Sequence, residues 1–108
     1  PLAKLVFVQY LTAVPEMPCK AAAITPEDAA NGRAIGRQLA AITARVARAN
    51  GALLLPADQM SRDHTACAAE PWSHGLHEGY DMRQGTPWHP APAGHEAIAV
   101  ELAKLLTR

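Results

Sequence analysis

The residues best equipped for chemistry lie near the carboxy terminus, in Gly85-Thr86-Pro87-Trp88-His89-Pro90-Ala91-Pro92-Ala93-Gly94-His95. His89 stands at the end of a long segment without clear periodicity, one residue before a proline that stiffens the chain and just ahead of a helix start. Such a position holds an imidazole at a fixed angle and keeps it accessible, which is what a general base requires. A solvated surface histidine has the same local surroundings, so placement alone leaves both readings open. His64, His74 and His77 precede it. They could gather a metal ion, but no acidic or Cys partner stands at helical ligand spacing, and a metal site is the weaker reading. Ser61 and Ser73 are the only serines. The two cysteines, Cys19 and Cys67, have 47 residues between them, a spacing that fits neither a zinc knuckle nor a redox pair. A disulfide is the better reading, with two free buried thiols as the alternative. A bridge closing such a loop would contribute up to ~4 kcal/mol, and it points to export into an oxidising compartment.

The elements that must hold these residues follow from the hydrophobic pattern. Leu5-Val6-Phe7-Val8-Gln9-Tyr10 is a near-continuous apolar run, which suits a strand inside a covered parallel sheet. A Pro-containing loop over residues 11–24 carries Cys19. Thr25 then offers a cap, Pro26 suits the first helical position, and Glu27 and Asp28 favour the positive end of the dipole. Ile35, Leu39, Ile42 and Val46 recur at helical spacing on one face, with Arg33, Arg37, Arg45 and Arg48 as the solvated complement. Asn50-Gly51 stops the helix, and Ala52-Leu53-Leu54-Leu55 reads as a second buried strand ended by Pro56. Strand, helix, strand of this length is a βαβ unit with a right-handed crossover. Residues 57–88 show no period, and a segment that long in a small unit is usually functional. A last helix is expected over residues 92–106, with Ile98, Leu102 and Leu105 inward and with Ala91, a weak cap, at its start. Two strands do not make a stable covered parallel sheet. Further strands are therefore expected, either from a natural chain that begins well upstream of Pro1 or from another chain.

Composition narrows the function classes. The 108 residues are 49% hydrophobic, which suits a globular αβ unit. Ten basic and ten acidic side chains give a formal net charge of zero, and the arginines are spread along a helix. That argues against nucleic acid as the main partner and against a polybasic membrane anchor. No apolar run reaches the length of a membrane span.

His-Pro-x-x-x-Gly-His at the start of a last helix, after strand, helix and strand, resembles the end of the SGNH, or GDSL-type, hydrolase family. There the segment typically reads Asp-x-x-His-Pro-Asn-x-x-Gly-His, and its first histidine is catalytic. Ser61 to Cys67, ending His64-Thr65-Ala66-Cys67, and Pro71-Trp72-Ser73-x-Gly75 are similar to the preceding loop of secreted actinobacterial esterases and lipases. The Tyr10-Leu11 and Pro15 region with Cys19 fits the same group, so the resemblance spans nearly the whole chain. It implies a three-layer αβα sandwich with a parallel, flavodoxin-like sheet, of which residues 1–108 are the carboxy-terminal part. It also implies a secreted carboxylic-ester hydrolase acting on a lipid or small acyl ester, with no metal or organic cofactor.

In that family a serine in a Gly-Asp-Ser motif attacks the ester, a histidine takes its proton, and Gly and Asn donors hold the oxyanion. This sequence contains no Gly-Asp-Ser; the motif would come from a complementary amino-terminal segment or chain, and only His89 carries over. The position three before it, usually the aspartate that orients the imidazole, is Thr86. Some secreted members use a main-chain carbonyl instead. The resemblance thus implies a Ser-His dyad, with a carbonyl in residues 86–88, assigned to Thr86, accepting from the ring of His89; Asp81 is the second candidate. Trp88 is expected to wall the acyl or alcohol pocket, or else to cover the core beneath the loop, Trp72 to be structural, and His95 to be a packing or hydrogen-bonding residue. Two other readings stand beside the hydrolase: a catalytically inactive fragment or interaction module that needs a complementary chain, and a flavodoxin-like ligand-binding domain, which the lack of a Gly-rich phosphate loop disfavours.

Overall fold

The apolar run after Lys4 pairs with the one after Gly51. In the computed structural model, which describes residues 3–108, β1 (Val6–Val8) and β2 (Leu53–Leu55) form a two-stranded parallel sheet with Val6 opposite Leu53 and Val8 opposite Leu55. Pairing continues one residue at each end, where the Leu53 N–H donates to Leu5 O and the Gln9 N–H to Leu55 O. Pro1 and Leu2, and with them the expected upstream continuation, lie outside the described residues.

Between the strands runs α1 (Pro26–Ala49). Its start is the expected one: the Thr25 hydroxyl accepts from the Asp28 N–H at 3.0 Å, satisfying one of the free amides of the first turn. Asn50 ends it, and Gly51, at φ 62°, carries the chain away in a conformation glycine adopts without steric cost.

The face of α1 that packs is not the one its large apolar residues mark. Ala29, Ala40 and Ala47 are buried, whereas Ile35 is 67% exposed and Leu39, Ile42 and Val46 are also exposed. Small side chains let the helix sit close to both strands, and the larger stripe lies to one side of that contact. Arg33 departs from the expectation too. It is half-buried, and Nη1 donates to the carbonyls of Pro15 and Glu16 at 2.8 Å each, bracing the loop after β1.

Residues 57–88 contain more structure than their sequence suggested. A short helix, α2 (Ala57–Met60), follows Pro56 directly, and a single 3-10 turn spans Met82–Gln84. Ser61, fully buried, stitches α2 to the loop after β1: its hydroxyl donates to Ala57 O at 2.6 Å and accepts from the Thr12 N–H at 2.8 Å. Asp58, also buried, accepts from the Thr12 hydroxyl at 2.7 Å and pairs with Arg62 at 3.1 Å. The Cys19–Cys67 disulfide is formed and closes a separation of 48 residues, the kind of covalent tie that persists in an oxidising, extracellular environment.

The last helix, α3 (Pro92–Leu106), packs on β2 with Ile98, Leu102 and Leu105 half-buried. No side chain caps it; Pro92 starts it, and the Ala91 N–H is taken by Trp72 O at 2.7 Å. The architecture is mixed αβ, with a two-stranded parallel sheet and three helices. Its Cα radius of gyration is 14.9 Å and its axes measure 50 × 25 × 20 Å, against about 13 Å for a spherical domain of this length. The elongation matches a sheet with an open edge on each strand.

Gly94, in the first turn of α3, is buried against the backbone of Trp72, where any Cβ would collide with the Trp72 carbonyl oxygen. Gly94→Ala is therefore expected to destabilise the fold by about 1–3 kcal/mol despite alanine's better helix propensity. A thermal melt checks this; an unchanged or raised midpoint would contradict the close approach.

Candidate active site

His89 is held by a short antiparallel pairing between two loop segments. The His74 N–H donates to His89 O and the Trp88 N–H to His74 O, both at 3.0 Å, while the Ala91 N–H reaches Trp72 O. Ser73 lies opposite Pro90 in this pairing. The Trp72 side of the ladder is anchored in turn. Its N–H donates to His64 O at 2.9 Å, and its indole stacks on the His64 imidazole at a centroid distance of 4.0 Å with the planes 2° apart. His64 Nδ1 lies 2.8 Å from Glu70 O. Trp72 is thus a structural residue that carries one strand of the ladder.

Within the turn, the His89 N–H donates to Thr86 O at 3.2 Å. The imidazole is exposed, and its Nδ1 lies 3.0 Å from Pro87 O. A carbonyl oxygen only accepts, so in the neutral ring this contact favours the tautomer with the proton on Nδ1, whose Nε2 lone pair is free. The carbonyl facing the ring falls within residues 86–88 but belongs to Pro87, not to Thr86, whose carbonyl is used by the His89 backbone. Proline has no N–H of its own to enter the ladder, and its carbonyl faces the ring.

Asp81, the second candidate, is committed elsewhere. Its carboxylate takes the guanidinium of Arg83 at 2.9 to 3.2 Å, and those bonds hold its carboxyl below the usual range. Among the described residues His89 makes no ion pair with any carboxylate.

Trp88, half-buried, adopts φ 65°, the one positive φ outside glycine among the described residues. Its carbonyl accepts from the Tyr10 hydroxyl at 3.1 Å. The Tyr10 ring stands edge-on to that of His89, with centroids 6.3 Å apart and planes at 82°. Burial pushes the Tyr10 phenol above its ordinary range, so it remains a donor at neutral pH. Tyr10 and Trp88 also line a cleft of about 210 Å³ at the carboxyl end of β1, closed by Val14, Ile35 and the backbone of Gly32 and Gly36. Clefts beyond the carboxyl ends of parallel strands are the usual ligand sites of αβ sheets. Its lining is mostly apolar, with Arg33, Arg37 and Asp58 also on the wall, and it has room for a small hydrocarbon or aryl group.

Neither serine reaches His89. The Ser61 hydroxyl is committed to Ala57 and Thr12, and that of Ser73 is buried without a hydrogen-bond partner. His77 Nδ1 faces Glu78 O at 2.7 Å, His74 packs edge-on against Tyr80, and His95 is exposed. Among the described residues no group of three or more His, Cys, Asp or Glu side chains is placed to hold a metal ion, and no helix is long and apolar enough to cross a membrane.

The sequence pointed to His89 and to a carbonyl in the three residues before it, and it missed Pro87 as the donor of that carbonyl and Tyr10 as the partner of Trp88. Tyr10 carried a usable signal, since it ends the apolar strand where ligands gather. Nothing in the residue types distinguished one carbonyl from its neighbours.

The Thr86 side chain is exposed and makes no hydrogen bond among the described residues. Thr86→Ala is therefore expected to change stability by no more than about 0.5 kcal/mol. A thermal melt checks this, and a loss of about 2 kcal/mol would mean that the hydroxyl holds the turn. Comparison of the chain with protein-family models, with curated proteins and with solved structures finds no match.

Proposed function

We propose that this chain is the carboxy-terminal part of a secreted carboxylic-ester hydrolase of the SGNH type, and that it supplies the general base, His89, to a serine carried on a complementary amino-terminal segment or chain. The observation that carries this reading is the exposed imidazole with Nδ1 on a main-chain carbonyl and Nε2 free. In the reaction Nε2 takes the serine proton as Oγ attacks the ester carbonyl. The Pro87 carbonyl dipole then steadies the Nδ1–H of the imidazolium, and Nε2 returns the proton to the leaving alcohol. A carbonyl dipole stabilises the cation less than a carboxylate does, so the dyad relies more on oxyanion donors, which the amino-terminal part would contribute. No metal or organic cofactor enters this scheme.

The cleft between Tyr10, Trp88 and Ile35 is the place for the acyl or aryl part of the substrate. The Ile35, Leu39, Ile42 and Val46 stripe and the outer edge of β1 are where the complementary part docks. There its strands would extend the sheet towards a three-layer αβα sandwich. Buried in this way, the stripe would contribute roughly 1.5–3 kcal/mol per side chain. The disulfide supports export as the setting.

A second reading, an inactive module retained for association, is favoured by the burial of both serines. A serine-reactive phosphonate separates the two. The hydrolase reading predicts that it labels the assembled protein at a serine outside these 108 residues and leaves this chain unlabelled. It also predicts that His89→Ala lowers kcat of the assembly by ~10²–10⁴-fold. No labelling in the assembly, or an unchanged kcat, would reject it.

A further inference from the structure

We infer that Tyr10 is a positioning residue for His89: its hydroxyl holds the Trp88 carbonyl and thereby keeps the turn in the left-handed conformation that sets the Pro87 carbonyl against the imidazole. The inference rests on the reading of His89 as a base for its consequence in catalysis, but its geometry stands without it.

A tryptophan at φ 65° is in a region that bulky L residues avoid, because Cβ crowds the backbone carbonyls. Such a residue persists only where its surroundings hold it, and strain of this kind gathers at functional turns. Here both peptide groups flanking the Trp88 Cα are held. The N–H donates to His74 O at 3.0 Å, and the carbonyl accepts the Tyr10 hydroxyl at 3.1 Å. The first bond belongs to the loop ladder. The second comes from the sheet, two residues past β1, where the neighbouring Gln9 N–H is fixed on Leu55 O. Among the described residues it is the only side-chain hydrogen bond from the β1 side to the turn over residues 86–91. Without it, rotation of Trp88 towards an ordinary φ would swing the His89 ring off Pro87 O, since ring and carbonyl lie on opposite sides of that residue. The groups facing the imidazole are the Tyr10 ring and the Pro87 carbonyl. With no carboxylate paired to it among the described residues, the ring depends on the turn for its orientation.

The test is the tautomer of His89 in the full 108-residue chain, read by NMR of the ring nitrogens in protein labelled at histidine with nitrogen-15. The Nδ1–H form is expected to dominate in the parent. Tyr10→Phe, which removes only the hydroxyl, should lower the ratio of Nδ1–H to Nε2–H by roughly three- to tenfold, the worth of one hydrogen bond. Adding Trp88→Gly should recover part of it, because glycine adopts a positive φ without the steric cost that tryptophan meets there. An unchanged ratio in Tyr10→Phe, or no recovery in the double variant, would overturn the inference. If Tyr10→Phe loses the far-ultraviolet circular dichroism of the parent, Trp88→Gly with Tyr10 intact decides. Dominance of Nδ1–H supports the positioning, and a switch to Nε2–H overturns it. The readout needs no substrate. A responsive tautomer with no ester hydrolysis in the assembly rejects the hydrolase reading alone, and an unresponsive one rejects the role of Tyr10 alone.

Discussion

Three backbone hydrogen bonds between two loop segments, Ala91 to Trp72, His74 to His89 and Trp88 to His74, are what the candidate site depends on. They join the end of a long irregular segment to the start of α3, and His89 lies between them. Loops normally scatter their side chains, but this one is fastened from several sides. The disulfide ties residue 67 to the loop after β1, the His64 and Trp72 stack anchors one strand of the ladder, and Gly94 lets α3 begin directly against the Trp72 carbonyl. Each of these carries little chemistry. Together they give an exposed imidazole one orientation, which is the property a base needs and a free surface histidine lacks.

The same chain leaves much of its apolar surface uncovered. Parallel strands are stable when helices cover both faces and neighbours pair both edges, yet among the described residues β1 and β2 pair only with each other. The four large apolar residues of α1 face outward while Ala29, Ala40 and Ala47 pack. Isolated exposed apolar residues are ordinary; in the proposed reading this contiguous stripe is the surface that the complementary part covers. The cleft at the carboxyl end of β1 shares Ile35 with that stripe. In the account proposed here, the covering part completes the fold and brings the nucleophile to the base in one association.

Much of the architecture was legible in the residues. Thr25, Pro26 and Asn50-Gly51 marked the ends of α1, Pro92 marked the start of α3, and the two apolar runs marked the strands. These signals are local, because caps and turns are decided by the few residues that form them. The packed face of α1 was not legible, since periodicity identifies an apolar stripe but not whether this chain or another covers it. α2 was missed because four residues after a proline carry no period. At the site, the type and place of His89 were readable. Which carbonyl meets the ring was not, because every residue has one and the fold of the turn decides between neighbours; Tyr10 could be placed at the end of its strand, but its bond to Trp88 could not.

A base oriented by a carbonyl rather than by a carboxylate has a simple kinetic signature, because the imidazole is then the one group near the reacting atoms that must lose its proton. The most direct test is the pH dependence of kcat/KM for a neutral ester in the protein assembled with its serine-bearing part. The account predicts a rate that falls as the solution is made acid, since the protonated ring cannot accept the serine proton. A rate that stays flat from about pH 8 down to 5 would contradict the assignment of His89 as the base.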